Sequence, residues 1–284
     1  MIVFKRFFAL LVTALASAAA SAQTYPVRPV QVIVAYPPGG AVDVMARNLV
    51  NVVQAQLGQQ FVVVNRDGAS GAIGFGLLAN ASNDGYTLGA GPTTPMSVMP
   101  HLMKRLKYDV HSFEYICQSF ENVFTLSVPQ ESPYRSVAEL LNAVRDNPGK
   151  LTYGSGGIGT VPQLTVSNLM WRSKLSVTGV EYRGEAPMML DLLAGRLSFG
   201  SPSVSLAAGR NLRVLAVFAD ERHATFPDAP TFKELNLPSM PPGLNGLFAP
   251  KGTPRAVLAQ LERACENAVQ SDTFITPAKR MYAQ

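Results

Sequence analysis

Residues 32–47, VIVAYPPGGAVDVMAR, join a predicted strand, a Gly39-Gly40 pair and the start of a predicted helix, which is the build of an anion-binding loop. The first amide N–H groups of a helix have no intrahelical acceptor and carry a partial positive charge. Glycine lets a ligand come close to these amides. Because the loop has no phosphate-loop lysine and no GxGxxG pattern, we expect it to bind a small organic anion such as a carboxylate. The alternative is an ordinary strand-to-helix turn that binds nothing.

A second loop repeats this skeleton later in the chain. Tyr36-Pro-Pro-Gly39-Gly40 and Tyr153-Gly-Ser-Gly156-Gly157 both read Tyr-x-x-Gly-Gly, and each is predicted to follow a strand and precede a helix. Two such loops, one in each half of the chain, are expected where two α/β lobes face each other across a cleft.

Asp43 lies in the first turn of the predicted helix after Gly40. Its carboxylate could cap free amides and complement the helix dipole, or it could accept a hydrogen bond from a ligand hydroxyl or amine. We favour the capping role, because a negative charge beside an anion site lowers affinity unless it points away.

A hydrolase is one alternative, since residues 65–72, NRDGASGA, nearly match GxSxG. Ser70 would then need activation by a histidine. The only candidates are His101, His111 and His223, and the sequence pairs none of them with Ser70. Exposed loop amides and the Ser70 hydroxyl facing a cleft are the preferred interpretation.

A dehydrogenase is the other alternative, because the loop from Gly154 to Gly159 formally fits GxGxxG and Glu181 lies 22 residues beyond it. The strand before this loop is short and polar, and Pro162 falls just inside the following helix. We therefore expect no enzyme and no cofactor. The sequence also lacks CxxC, HExxH and EF-hand motifs, so no metal site is predicted.

The first residues have the pattern of a secretory signal peptide. Lys5 and Arg6 precede an apolar run, and Ala20-Ser21-Ala22 has the small-x-small form of a cleavage site. We expect export with cleavage after Ala22, which lowers the formal net charge from +5 to +3. The remaining basic residues are scattered, apart from a cluster at residues 104–107 that is typical of a solvated turn, so no nucleic-acid partner is expected.

Strand and helix patterns alternate along the mature chain. Strands are predicted at residues 30–36, 61–64, 86–90, 151–153 and 212–218. Helices are predicted to begin near residues 42, 136, 161, 187 and 254, and residues 231–234 form a further capping-box pattern. The alternation predicts parallel sheets with crossover helices. Cys117 and Cys265 could form a disulfide or remain buried thiols, and the sequence favours neither.

Six ordered motifs make the chain similar to a known family. YPPGGAVDVMAR, VNRDGASGAIG, NDGYTL, YGSGGIGT, YRGEAPMMLDLLAGRL and GLFAPKGTP occur in this order. Together they resemble the Bug/TctC family of periplasmic solute-binding proteins of tripartite tricarboxylate transporters. The resemblance extends from about Tyr25 to Asp272.

This resemblance implies a two-lobed α/β periplasmic binding protein (a Venus flytrap), each lobe a mostly parallel sheet flanked by helices. After a signal peptide at 1–22, domain I would comprise 23–122 and 244–284, and domain II would comprise 123–243. The implied partners are a small organic carboxylate (a di- or tricarboxylate, an aromatic acid or an acidic amino acid) and the membrane subunits of a transporter, and we expect a periplasmic monomer. The implied ligand contacts are Tyr36, Gly39, Gly40, Asp43, Gly68, Ala69, Ser70, Thr93, Thr94, Ser155, Gly156, Gly159, Thr160 and Tyr182.

One cleft wall departs from the family pattern. After the DLLAGRL helix the family carries an acid that faces the cleft, whereas residues 197–203 here read LSFGSPS and contain none. Gln163 and Ser167 also stand where His and Glu are common. A missing acid favours a more anionic ligand.

Overall fold

The structure is a computed structural model that describes residues 25–280. The predicted signal peptide and its cleavage after Ala22 lie outside these residues. Two five-stranded sheets organise the described chain. Within this part of the chain, no helix combines the length and the apolar content that crossing a membrane requires.

The first sheet collects strands from both ends of the described chain. Its order is β2-β1-β3-β10-β4, where β1 pairs in parallel with β2 and β3, and β10 pairs antiparallel with β3 and β4. The strands are β1 (Val30–Val34), β2 (Phe61–Asn65), β3 (Thr87–Pro92), β4 (Phe113–Asn122) and β10 (Gly243–Pro250).

Six helices accompany this sheet, and we call sheet and helices together the first lobe. Helix α1 buries apolar residues that include Val42, Met45, Leu49 and Val53, and it ends at Gly58, whose positive φ of 67° lets its N–H donate to Gln54 O. The helices are α1 (Ala41–Leu57), α2 (Ala72–Ala79), α3 (Thr94–Ser97), α4 (Met99–Leu102), α9 (Arg255–Val269) and α10 (Asp272–Arg280). Single 3₁₀ turns occupy Ala69–Gly71 and Val110–Ser112.

The second sheet and its helices form the second lobe. The strand order is β7-β6-β8-β5-β9, where β6 pairs in parallel with β7 and β8, and β5 pairs antiparallel with β8 and β9. The strands are β5 (Thr125–Pro129), β6 (Thr152–Ser155), β7 (Thr178–Glu181), β8 (Phe199–Gly200) and β9 (Leu212–Val217). The helices are α5 (Val137–Asp146), α6 (Val161–Ser173), α7 (Glu185–Leu193) and α8 (Val204–Ala207).

The predicted two-lobed α/β fold is confirmed, but the sheets are mixed and not mostly parallel. Two of the four strand pairings in each sheet are antiparallel. Crossover helices make neighbouring strands parallel only within consecutive strand–helix–strand units. β4 and β5 carry the chain out of the first lobe, and β10 brings it back. All four antiparallel pairings involve β5 or β10, two of these crossing strands.

Each lobe has its own apolar core. Val32, Leu49 and Leu261 belong to the core of the first lobe, and Leu140 and Phe199 belong to that of the second. A disulfide between Cys117 of β4 and Cys265 of α9 joins two elements of the first lobe, with the Cα atoms 6.3 Å apart. The structure thereby settles the alternative that the sequence left open.

The capping-box pattern at residues 231–234 forms its hydrogen bonds without opening a helix. Thr231 N donates to Glu234 Oε2, and Glu234 N donates to Thr231 Oγ1. The chain nevertheless makes only a turn there, because Asn236 adopts a positive φ of 53° and Pro238 follows.

Candidate functional site

A cavity lies between the two lobes, and we call it the inner cavity. It has an empty volume of about 620 Å³, part of which opens to solvent. Ends of β3, β4 and β10 contribute to its wall together with loops of both lobes. Its polar and aromatic lining consists of Tyr36, Thr94, Asn122, Phe124, Thr160, Glu185 and Asn245.

Three helices begin at the wall of the inner cavity. Residues 40–42 belong to the start of α1, residues 160–162 to the start of α6, and residues 184–186 to the start of α7. Their first-turn amides lack intrahelical acceptors, and each helix start carries a partial positive charge. The three starts come from both lobes, so an anion between them would receive hydrogen bonds from both sides.

A second, outer pocket adjoins the inner cavity and shares Tyr36, Pro37, Gly156 and Gly184 with it. The Tyr182 hydroxyl at this pocket donates to Asp191 Oδ2 at 2.6 Å. Burial, followed by the neighbouring Asp191 carboxylate, raises the pKa of Tyr182 to about 12. The hydroxyl therefore remains a hydrogen-bond donor at neutral pH.

The lobes touch each other around these two pockets. A Cβ atom at Gly157 would lie 2.6 Å from Ser70 Oγ, one at Gly159 would lie 2.9 Å from Leu102 Cδ1, and one at Gly184 would lie 3.0 Å from Pro37 Cδ. Glycine at these positions lets loops of the second lobe approach the first lobe closely. The arrangement is that of a closed cleft.

Left-handed backbone conformations occur on the first-lobe side of this contact. Ala69 and Ser70 have φ values of 47° and 51°, a conformation that costs a non-glycine residue on the order of 1 kcal/mol. The Tyr36 hydroxyl donates to Ser70 O at 3.2 Å and ties this loop to the end of β1.

The structure sorts the predicted ligand-binding residues into three sets, and their roles in binding stay predictions. The inner cavity is lined by Tyr36, Gly40, Thr94, Gly156 and Thr160. The outer pocket adds Gly68, Ala69, Ser70 and Tyr182. Neither pocket is lined by Gly39, Asp43, Thr93, Ser155 or Gly159.

Asp43 is occupied by protein donors. Its carboxylate accepts hydrogen bonds from Gly39 N at 3.0 Å, Arg47 Nε at 3.0 Å and Asn65 Nδ2 at 2.8 Å. Burial alone would raise the pKa of Asp43, but these hydrogen bonds and the Arg47 charge hold that pKa below its ordinary value. This geometry favours the capping role over ligand binding.

Ser155, Gly159 and Thr93 also interact mainly with protein groups. The buried Ser155 hydroxyl donates to the Glu181 carboxylate. Gly159 N donates to Gln163 Oε1 at 3.0 Å, and Thr93 O accepts from Ser97 Oγ at 3.1 Å. These residues shape the loops beside the cavity.

The two Tyr-x-x-Gly-Gly loops are not structurally equivalent. Tyr36 follows β1 and lies at the cleft, whereas Tyr153 lies within β6, packs on Phe199 and donates from its hydroxyl to Pro162 O. The Tyr-x-x-Gly-Gly sequence therefore begins after the strand in the first lobe and inside the strand in the second. What the lobes share is a strand-to-helix junction that faces the same cavity.

Sequence reasoning missed several residues of the inner cavity, among them Asn122, Glu185 and Asn245. The available signal was an uncharged polar residue inside an otherwise apolar strand, as in GLNGLFAP, and an acid directly after YRG. The register of β10 against β4 shifts between Asn245 and Gly246, and such irregularities redirect side chains.

Glu185 supplies a carboxylate to the wall where residues 197–203 lack one. Its Oε2 accepts from Ser203 N at 2.8 Å. Burial raises the pKa of Glu185, and the Ser203 donors only partly offset that effect. The expectation that this wall lacks an acid is therefore wrong, whereas the preference for a more anionic ligand stays a prediction.

The enzyme-like motifs have structural explanations. The Ser70 loop is held by the hydrogen bond from the Tyr36 hydroxyl to Ser70 O. Gly154 lies inside β6, where a Cβ atom would lie 2.4 Å from Leu197 Cδ1, so glycine is needed for internal packing. Over residues 25–280, no group of three or more His, Cys, Asp and Glu side chains is placed to hold a metal ion.

Comparison with known proteins decides the family. TctC, the tripartite tricarboxylate transporter family receptor, matches residues 45–279. The chain belongs to this family. Bordetella pertussis BugT is 33% identical over 93% of this chain and 83% of its own length. The predicted resemblance to the Bug/TctC family is thereby confirmed.

Solved structures agree with this assignment. Rhodopseudomonas palustris MatC, solved with bound malate, has a TM-score of 0.85 and 27% identity over 91% of this chain and 90% of its own. Rpa4515 of the same organism, solved with adipate, has a TM-score of 0.83 and 28% identity over 92% of this chain and 89% of its own. Members of the family are periplasmic binding proteins of transport systems and not enzymes.

Proposed function

We propose that this chain captures a small carboxylate in the inner cavity and delivers it to the membrane subunits of a tripartite tricarboxylate transporter. The observation that carries the proposal is the convergence of three helix starts, from both lobes, on one cavity. MatC with malate and Rpa4515 with adipate support a carboxylate as the ligand class. The predicted signal peptide, cleaved after Ala22, supports a periplasmic location.

Binding and lobe closure are coupled in this proposal. Residues 23–122 and 244–284 form domain I, residues 123–243 form domain II, and the chain acts as a monomer without a cofactor. A carboxylate bound between the start of α1 in the first lobe and the start of α6 in the second is fully satisfied only when both domains surround it. The ligand therefore stabilises the closed state, and the transporter recognises that state.

The test is a ligand screen on the exported, purified protein. Thermal-shift and calorimetric titrations with carboxylates that differ in charge and size should identify compounds that raise the unfolding temperature. Stabilisation by about 3 kcal/mol is expected at a ligand concentration of 100 Kd. A folded sample that no carboxylate stabilises would overturn the proposal.

A matched pair of variants on helix α7 locates the binding site. Ala186 lines the inner cavity, whereas Ala194 at the other end of the helix is exposed. Ala186→Trp should fill the cavity and abolish binding, and Ala194→Trp should leave it unchanged. Equal affinity of the two variants would place the ligand elsewhere.

A further inference from the structure

The inner cavity presents hydrogen-bond acceptors that have too few donors. Asn245 is 1% exposed, and its Oδ1 atom has no hydrogen-bond partner. Its Nδ2 atom donates to Gly243 O at 2.8 Å. This bond sets the orientation of the amide, because reversing it would bring two acceptor oxygens together. An unsatisfied buried acceptor costs roughly 1–3 kcal/mol, so Asn245 Oδ1 favours a ligand that brings a hydrogen-bond donor into the cavity.

Glu185 is a second acceptor in the same cavity. Its carboxylate accepts hydrogen bonds from the backbone and the side chain of Ser203, a neutral residue. Across the described part of the chain, none of the ion pairs includes Glu185. The residues that line the inner cavity include no lysine, arginine or histidine.

The groups that line the cavity have opposite preferences. The starts of α1 and α6 favour an anionic oxygen, whereas Glu185 and Asn245 Oδ1 favour a cationic or neutral donor. The lining also includes apolar groups such as Val42, Phe124 and Pro162. A second ligand carboxylate near Glu185 would face a like charge with no cation to offset it.

We propose that the ligand is an amino acid, a compound with one carboxylate, one ammonium group and a small apolar body. The first-turn amides of α1 and α6 bind its carboxylate, whereas Glu185, the first residue of α7, and Asn245 accept hydrogen bonds from its ammonium group. This inference rests on the proposed function and names its ligand class. Glu185 then determines specificity for zwitterions against di- and tricarboxylates.

The test compares ligands that differ only in the ammonium group. Calorimetric titrations use L-valine with isovalerate, L-leucine with isocaproate, γ-aminobutyrate with butyrate, and also malate and adipate. For the preferred pair, the amino compound should bind at least about ten-fold more tightly than its deaminated partner. Glu185→Gln should remove that preference, and Glu266→Gln, an exposed control on α9, should retain it.

The outcomes separate this inference from the proposed function. If malate or adipate binds more tightly than every amino compound, and Glu185→Gln tightens that binding further, the amino-acid proposal is overturned and carboxylate capture stands. If none of the amino compounds and carboxylates binds, both proposals fail. Retention of the ammonium preference in Glu185→Gln would also overturn the assignment of Glu185.

Discussion

At the scale of single residues, the burial of Glu185 destabilises the charged form of its carboxyl group. Burial raises its pKa in the folded state. A raised carboxyl pKa means that folding favours the protonated form, so this contribution is present below the unfolded pKa and is lost as pH rises through the folded pKa. At neutral pH the charged form therefore destabilises the ligand-free protein.

We therefore predict that Glu185→Gln raises the unfolding temperature of the ligand-free protein at neutral pH. Glutamine retains an acceptor for Ser203 N but carries no charge. The gain should shrink as pH falls from neutrality through the raised pKa of the folded state, because the wild-type carboxyl then becomes protonated. Thermal unfolding across this range measures it, with Glu266→Gln as the exposed control. A gain that does not depend on pH would contradict this explanation.

Asp43 has the opposite linkage. Its pKa is lowered in the folded state, so its contribution is present above the unfolded pKa and is lost as pH falls through the folded pKa. We predict that Asp43→Ala lowers the free energy of unfolding by about 1–3 kcal/mol at neutral pH, since three donors lose their acceptor. Denaturant unfolding would measure the loss, which should vanish in strong acid. An unchanged midpoint would show that the network contributes little.

Asp43 and Glu185 also show which roles of single residues could be predicted from the sequence. The capping role of Asp43 was favoured from sequence because it depends on neighbours within one helical turn. Glu185 was missed because its partner, Ser203, lies 18 residues away and reaches it only through the fold. Asn245 was missed because residues that share the cavity with it, such as Tyr36 and Glu185, are distant in sequence.

At the scale of elements, the disulfide between β4 and α9 fastens the last long helix to the first sheet. The two cysteines are 148 residues apart in sequence, so the link restricts a long loop in the unfolded chain. We predict that a Cys117→Ser/Cys265→Ser variant loses roughly 2–4 kcal/mol of stability. Denaturant unfolding with and without reductant tests this. As the matched control, the wild-type protein should lose stability only when reductant is present. If neither the double substitution nor the reductant lowers the stability, the prediction is refuted.

Elements with a strong local pattern could be predicted, whereas those defined by distant pairing could not. Helices α1 and α9 follow apolar stripes, and the ends of α1 are marked by glycine. Strands β4 and β10 were not predicted, because they pair with each other across more than 100 residues of the chain. Strand β5 was not predicted either, and its partners β8 and β9 follow it by more than 70 residues. The turn at residues 231–234 shows that a correct cap does not guarantee a helix.

At the scale of the whole molecule, Gly159 is a test of lobe closure. A Cβ atom there would press on Leu102 and Met99 of the first lobe, whereas one at Gly195 would meet nothing within 4 Å. The two glycines have similar φ values of 77° and 69°, so their alanine variants carry similar backbone strain.

We predict that Gly159→Ala weakens ligand binding about ten-fold while Gly195→Ala leaves it unchanged. The overlap costs on the order of 1–3 kcal/mol in the closed state and is absent when the lobes separate. Calorimetry measures affinity, and small-angle X-ray scattering with ligand measures compactness. Equal effects of the two substitutions would mean that strain, and not closure, is responsible.

The sequence by itself determined the export signal pattern, the alternation of strands and helices, the family and the glycine loops at two helix starts. These features depend on local periodicity, turn chemistry and ordered motifs. Only the tertiary structure decided that the third helix start joins the first two, that the sheets are mixed, and that Glu185 and Asn245 enter the cavity. Cavity walls are assembled from segments far apart in the chain, and no local pattern records which side chains will face one another.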